Sequence, residues 1–271
     1  MKNLFLLTYL LLAFQGWSQV YPQIGARSAG IGATSLTFSD VYSAYNNPGA
    51  LGALEKTAVG VNYENRYLLK ELSTQALAFG YHTENNGNIG LHFQQYGFEL
   101  YREMQIGLSY GLKLSDRFFG GVGFNFHRIH LAENYGNKNT ASGSLGILYK
   151  ATDNLHFGMR VLNISRTKLA DYEDERLPTT FGLGVTYHFS EKVLWNIEAE
   201  KTIVQPVNVK TGLEIHPHEI IYIRLGVNSY PFQSAFGFGL NLDQLQFDLA
   251  TTWHSTLGMS PSAGLTYRFN K

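Results

Sequence analysis

The sequence predicts an all-β fold, a transmembrane antiparallel β-barrel of about 14 strands with an N-terminal luminal plug. Three observations lead to this prediction. The chain begins like an exported protein, apolar and polar residues alternate from residue 56 to the end, and aromatic residues (14%) and glycine (28 residues) are abundant. Alternation with a period of two gives a sheet two unlike faces, one suited to lipid and one to water. We divide the chain into a signal peptide (1–18), a plug segment (19–55) and the barrel (56–271).

The first 18 residues have the features of a secretory signal peptide. Lys2 precedes an apolar run from Leu4 to Phe14, and Gly16 and Ser18 are small residues before the expected cleavage site. The run is shorter than the roughly 20 residues that a spanning helix needs, which disfavours the alternative of an N-terminal membrane anchor. The absence of Cys from the sequence excludes disulfides, thiolate metal sites and a lipid anchor on Cys.

The alternation that predicts strands is clearest in Val193–Glu200, where Trp195 and Ile197 alternate with Asn196 and Glu198. Similar segments recur along the chain at the spacing of a strand plus a turn. Candidate strands begin near Lys56, Ser73, Asn88, Tyr101, Arg117, Thr140, Asn154, Thr179, Glu191, Val207, Glu219, Gln233, Gln244 and Ser262. The count of 14 is even, as in bacterial single-chain barrels, and 12 is the nearest alternative. A soluble β-sandwich is the other alternative, but its polar face would carry many Lys and Glu, whereas this one is rich in Gly, Asn, Thr and Ser.

The lengths of the connections predict which end of the barrel faces outward, because such barrels have short periplasmic turns and longer external loops. If the first strand runs outward, the inner turns are short and the outer connections are longer. The inner turns are 84–87, 115–116, 153–154, 190–192 and a bend at Asp243, and the outer connections include 67–72, 134–139 and 166–178.

The segment before the strands has no period-two pattern and carries two motifs. Residues 25–33 read GARSAGIGA, with Gly25, Arg27, Gly30 and Gly32, and residues 46–51 read NNPGAL, with Asn47 and Pro48. This segment resembles the start of PorV/PorQ-type outer-membrane barrels, which accompany the type IX secretion system and belong to the FadL-like (long-chain fatty-acid transporter) superfamily. The resemblance implies a barrel of 14 strands with the segment folded inside. It also implies two functions: a docking or structural component linked to type IX secretion, or a channel for small hydrophobic or amphipathic solutes.

The chemistry of this segment fits a packed plug better than a flexible tail, the alternative interpretation. Its glycines allow close backbone packing, and Pro48 ends any helical turn that precedes it. Arg27 needs an acidic partner inside the barrel.

Eight charged residues face the lumen on the predicted register. They are Arg160, Lys210, Arg224 and Arg268 against Glu198, Glu200, Glu214 and Asp248. Because buried charges must be paired, we expect ion pairs that fill a narrow barrel. A polar path for a substrate is the alternative.

Several function classes have no support in the sequence. The formal net charge is zero, which disfavours nucleic-acid binding. No nucleophile accompanies Glu198 and Glu200, and no cofactor motif occurs, so we expect no enzymatic activity and no cofactor. His127 and His130 fall on opposite strand faces, and His216 and His218 have no third ligand nearby in the sequence, so no metal site is expected.

A surface loop is the candidate site for a protein partner. The stretch 166–178 holds Tyr172 and Leu177 among charged residues, as in an aromatic anchor with a polar rim. The expected partners are therefore outer-membrane lipid and either secretion-machinery proteins or a hydrophobic ligand.

Overall fold

A computed structural model describes residues 23–132, 136–167, 176–203 and 205–270 of the chain. The predicted signal peptide and residues 19–22 of the predicted plug segment lie outside the described residues. Fourteen strands form a closed antiparallel barrel in which each strand pairs with the next and the last pairs with the first. The predicted fold class is therefore confirmed, and the alternative count of 12 strands is wrong.

The strands follow one another along the chain without a crossover. They are β1 Ala58–Asn65, β2 Ser73–Tyr81, β3 Asn88–Gly97, β4 Tyr101–Lys113, β5 Phe118–Leu131, β6 Gly136–Lys150, β7 Leu155–Leu162, β8 Thr180–Ser190, β9 Val193–Thr202, β10 Asn208–His218, β11 Ile221–Ser229, β12 Phe232–Leu242, β13 Leu245–His254 and β14 Gly258–Arg268. Each begins within four residues of its predicted start. Alternation fixes which side chains point inward: on β11, Arg224 is fully buried whereas Leu225 is 49% exposed.

The outer wall of the barrel is apolar. Leu183 is 60% exposed and Leu249 58% exposed at the middle of their strands, and similar aliphatic side chains surround the barrel. Such a surface requires lipid, because soluble monomers rarely expose apolar patches larger than a few hundred Å². Aromatic pairs follow at one end of the wall, where the rings of Tyr187 and Phe189 lie 5.0 Å apart and those of Tyr267 and Phe269 4.9 Å apart.

The two ends of the barrel differ less than the sequence predicts. We name the end at which β1 begins and β14 ends the turn end, and the opposite end the loop end. Three loop-end connections are short, at 98–100, 230–231 and 255–257. The predicted loop 134–139 is wrong for residues 136–139, which are paired with β5 as the start of β6: His130 Nδ1 lies 2.8 Å from Asn137 Oδ1. Residues 134 and 135 lie outside the described residues.

In the described ranges, the helices are short and lie before β2. They are α1 Ala26–Gly30, α2 Ser43–Asn46 and α3 Pro48–Leu51, followed by 3-10 turns at Arg66–Leu68 and Lys70–Leu72 in the β1–β2 connection. Within the described ranges, no helix is long and apolar enough to cross a membrane. We name residues 23–57, which hold α1 to α3, the N-terminal segment.

Candidate functional site

The N-terminal segment packs against the inward-facing residues of the strands. Helix α1 contacts β11 to β14 and β1, α2 contacts β2 to β4, and α3 contacts β3 to β7. Most of its side chains are buried, including Ile31, Leu36 and Leu51. The segment therefore lies across the lumen between the two ends of the barrel.

Glycines on the inner wall let the backbone of the segment approach the strands directly. A Cβ atom on Gly49 would lie 2.5 Å from the carbonyl carbon of Gly146 on β6, and one on Gly30 would lie 2.8 Å from Gly237 Cα on β12. Gly32 has a φ of 76°, which other residues rarely adopt, and faces the backbone of β10 and β11. Any larger residue at these positions would push the segment away from the wall.

Asn47 and Pro48, the second predicted plug motif, join the segment to itself and to β6. Asn47 is extended, as expected for a residue before proline, and its Oδ1 accepts a hydrogen bond from Gly49 N at 3.0 Å. Its Nδ2 donates to Leu36 O at 2.5 Å and to Ile147 O at 3.0 Å. Asn47 is fully buried, so this one side chain satisfies three backbone groups away from water.

Arg27 in α1 enters a charged cluster with residues of three strands. Its guanidinium donates two hydrogen bonds to Glu214, at 3.0 and 2.8 Å. Arg224 donates to the same carboxylate at 2.5 Å and to Asp248 at 2.7 Å. Arg27 also lies 3.8 Å from Asp40. Glu214 is fully buried, and two guanidiniums compensate its charge.

A second cluster lies on β7, β9 and β10. Glu200 pairs with Arg160 at 3.3 Å and with Lys210 at 3.0 Å, and Arg160 also donates to Asn46 O at 2.6 Å. Gln23 bridges Glu200 and Lys210 through its side-chain amide.

Glu198, on the inward face of β9, accepts hydrogen bonds from the backbone of the segment. Its Oε1 accepts hydrogen bonds from Ser35 N and Leu36 N, both at 2.6 Å.

Seven of the eight charges predicted to face the lumen are buried, and Arg268 lies at the turn end, where it donates to Asn241 Oδ1 at 3.0 Å. Five of these charges contact the segment directly, so they hold it as well as filling the barrel: Arg160, Glu198, Glu200, Lys210 and Glu214.

A cavity of about 380 Å³ lies between the segment and the loop end. Its floor includes Ala29, Ala33 and Tyr45 of the segment, and its walls are the loop-end halves of the strands. We name it the loop-end cavity. Its lining mixes aromatic and aliphatic side chains with amides, as small-molecule sites commonly do, and its volume lies within their usual range.

A second cavity, of about 340 Å³, lies on the opposite side of the segment, and we name it the turn-end cavity. Arg27, Glu214 and Arg224 line it together with His188 and His216. Among the residues that the structure describes, no three His, Asp or Glu side chains are placed to hold a metal ion.

The predicted partner loop requires a correction. Leu177 is buried and lines the loop-end cavity, because Asn163 Nδ2 donates to Leu177 O at 2.6 Å and Leu177 N donates to Thr167 O at 3.0 Å, which holds it inward. It is therefore not an exposed anchor for a partner. Tyr172 lies outside the described residues.

The loop-end cavity was not predicted from the sequence. Tyr45 and Tyr96 line it from the segment and from β3, and Thr74 and Asn228 line it from β2 and β11. The sequence does indicate which residues face inward near the loop end of each strand. It does not indicate which strands face one another across the lumen, because that depends on barrel closure.

Comparisons with known proteins show which solved structures share this fold. No protein-family model matches the sequence. No curated protein matches it in sequence either. Solved structures do match in fold: the toluene transporter TodX of Pseudomonas putida has a TM-score of 0.69 at 12% identity, covering 94% of this chain and 100% of that chain.

Two further structures show the same likeness. The toluene transporter TbuX of Ralstonia pickettii has a TM-score of 0.67 at 10% identity, covering 92% of this chain and 99% of that one. A FadL homologue of Pseudomonas aeruginosa has a TM-score of 0.66 at 15% identity, with the same coverages. At these identities the likeness establishes the fold. The chain is an outer-membrane β-barrel with a FadL-like fold.

Proposed function

We propose that the chain is an outer-membrane channel for small hydrophobic or amphipathic solutes, with the loop-end cavity as its outer binding site and the N-terminal segment as its plug. The observation that carries this proposal is a cavity of about 380 Å³ that the barrel wall encloses and the segment floors. The named activities of the structures with the same fold, which are transporters or channels of hydrocarbons, support transport rather than catalysis.

The position of the two cavities supports a path through the barrel. On β10, Lys210 lines the loop-end cavity and Glu214 lines the turn-end cavity, with Gly212 between them against Ile31. Four residues of a strand span about 13 Å, so a short stretch of the segment separates the cavities. A solute that crosses here requires movement of this stretch.

A reversible cross-link tests whether the segment must move. A Cβ atom on Gly264 of β14 would lie 3.4 Å from Ala26 Cβ, close to the 3.5–4.5 Å between the Cβ atoms of a disulfide. Because the sequence has no Cys, the double variant Ala26→Cys, Gly264→Cys can form only this bond within the chain. We expect oxidation to stop uptake and reduction to restore it.

The measurement is uptake of a radiolabelled monoaromatic and of a small amphipathic alcohol by cells that carry the protein, against cells that lack it. The two single-Cys variants are the controls, since neither can cross-link within the chain. Uptake that is unchanged in a fully oxidised double variant would contradict a moving plug. Absence of protein-dependent uptake for both solutes would contradict the channel itself.

Deletion of residues 19–54, with the signal peptide kept, gives a second test of the plug. The strand array begins only at Ala58, so we expect the barrel to fold and to conduct ions in planar bilayers. Equal, near-zero conductance with and without the segment would contradict the plug.

A docking role in type IX secretion, which the resemblance to PorV/PorQ-type barrels implies, has no supporting observation in the described part of the chain. Its candidate anchor Leu177 faces the loop-end cavity. The proposal of a solute channel therefore stands alone.

A further inference from the structure

The lining of the loop-end cavity indicates which solutes it accepts, if the proposed channel function holds. Seven of its lining side chains are Asn or Gln amides, and three more, Thr74, Thr252 and Ser260, carry aliphatic hydroxyls. A site for a bare hydrocarbon needs few polar groups, because each must be desolvated when an apolar ligand enters. The cavity is therefore built for hydrogen bonding.

The charged side chains of the lining balance one another. Glu64, Glu103 and Glu200 oppose Arg66, Arg128 and Lys210. Several are already engaged: Arg66 lies 3.1 Å from Glu64, Lys210 lies 3.0 Å from Glu200, and the Tyr101 hydroxyl donates to Glu103. The balance disfavours a charged solute, which would need an excess of the opposite charge.

Three lining residues hold polar atoms that have no hydrogen-bond partner among the described residues. They are Tyr45 Oη on the floor, Thr74 Oγ1 on β2 and Asn228 Oδ1 on β11. All three residues are more than nine-tenths buried. The three atoms have no accessible surface in this structure, so each reaches a solute only after its side chain rotates toward the cavity. Buried polar groups are nearly always paired, and a solute that supplies the partners would favour that rotation.

Aromatic rings complete the lining. Tyr45, Tyr67, Tyr96 and Tyr230 line the cavity, and the Tyr96 ring lies 5.4 Å from the Arg66 guanidinium. Tyrosine offers an apolar ring and a polar tip, so these side chains can pack on a ring of the solute while amides bind its polar groups.

We infer that the solute of the loop-end cavity is an uncharged ring compound that carries several hydroxyl or amide groups, and not a bare hydrocarbon. The ring packs on the tyrosines, and the polar groups pair with the amides and with Tyr45, Thr74 and Asn228. This inference rests on the proposed channel function and names the class of its solute.

Binding to the protein in lipid nanodiscs, measured by calorimetry, tests the inference with three probes that share one ring. They are phenyl β-glucoside, toluene and phenyl phosphate, which are polyhydroxylated, apolar and charged. We expect phenyl β-glucoside to bind at least about tenfold more tightly than the other two, because only it satisfies the polar groups without adding charge.

Variants locate the binding. Tyr45→Phe and Thr74→Val each remove one hydroxyl with little change of shape, and we expect the pair to weaken glucoside binding about tenfold without weakening toluene binding. Thr251→Val is the matched control, because the Thr251 hydroxyl also lacks a partner in the described ranges but does not line the cavity. We expect it to change nothing.

The outcomes separate this inference from the proposed function. Tighter binding of toluene or phenyl phosphate, or equal loss of toluene and glucoside binding in the double variant, overturns the inference and leaves a solute channel. Absence of binding for all three probes, together with absence of protein-dependent uptake, overturns both. A glucoside preference that the double variant abolishes and the control keeps supports the inference.

Discussion

The two sides of the inner wall hold the N-terminal segment in different ways. All seven buried ionic side chains of the strands described lie on β7 to β13. The buried polar residues of β1 to β6 are uncharged in the described ranges, with Asn88, Gln105 and Ser109 as examples. We name β1 to β6 the uncharged side and β7 to β13 the charged side.

The uncharged side fixes the segment by shape. Asn88 Nδ2 donates to Leu51 O at 2.8 Å and to Leu54 O at 2.9 Å, and the backbone of α3 lies on Gly146 and Gly121. These contacts are backbone packing and neutral hydrogen bonds. They form one close-packed surface, so we expect α3 to stay in place.

The charged side also packs glycines closely against the segment, but it adds ionic contacts: Arg27 pairs with Glu214, and Glu198 accepts hydrogen bonds from the backbone of residues 35 and 36. Glu200 accepts from Gln23, and Arg160 donates to Asn46 O. The two cavities lie near each other at β10 and β11, since both strands contribute lining residues to each cavity. From this difference we expect α1 and the chain up to Leu36 to move when the segment opens, and α3 to stay in place as its anchor.

Glu214→Gln is the change with the largest expected effect. It leaves Arg27 and Arg224 buried against a neutral amide, and breaking a buried ion pair costs about 3–5 kcal/mol. We expect a lower urea midpoint for the folded barrel and release of α1. Glu191→Gln in the exposed β8–β9 turn is the control. Equal stability of the two variants would show that the charged side does not hold the segment.

Leu225→Arg tests the strand register on which both sides depend. Leu225 faces outward beside the inward Arg224, and an Arg at the middle of a lipid-facing strand costs about 2–4 kcal/mol. We expect little folded barrel in outer membranes, measured by heat-modifiable migration on gels.

Ser229→Arg is the control for this register test. Ser229 lies on the same strand and face but at its loop end, where the cost falls to about 0–1 kcal/mol. Normal insertion of Leu225→Arg would mean that β11 is assigned to the wrong register.

Gly146→Ala tests the uncharged side. Its Cβ would overlap Asn47 Oδ1 and Gly49 N, so the anchor must shift, at about 1–3 kcal/mol. Gly143→Ala is the matched control on β6, because no atom lies closer than 4.0 Å to its Cβ. Protease cleavage of the segment should rise only in Gly146→Ala. Equal cleavage in both variants would count against anchoring by shape.

Strand positions and inward faces were predictable because alternation is a local property of the sequence. Trp195 and Glu198 reveal their faces from their neighbours alone. The partners inside the lumen were not predictable: Arg27 requires an acid, but Glu214 lies 187 residues away and is brought close only by closure of the barrel. Leu177 was placed on the surface for the same reason, since its contacts with Asn163 depend on the path of the connection.

Substitution of Asp40 has the smallest expected effect on docking of the segment. It tests whether the ion pair with Arg27 or the burial of the carboxylate dominates at this position, on the edge of the charged side. Burial raises the pKa of Asp40 above its ordinary value of 3.8, although Arg27 and the Tyr42 N–H favour its charged form. The docked segment therefore holds a proton that the released segment loses, and docking weakens as pH rises through the raised pKa. Asp40→Asn should remove this dependence of docking on pH. At neutral pH the segment of the variant should dock slightly more stably, by less than about 1 kcal/mol because the side chain is partly exposed. Protease cleavage of the segment between pH 4 and 7 measures the difference. Weaker docking of Asp40→Asn at neutral pH would show that the pair with Arg27 outweighs burial.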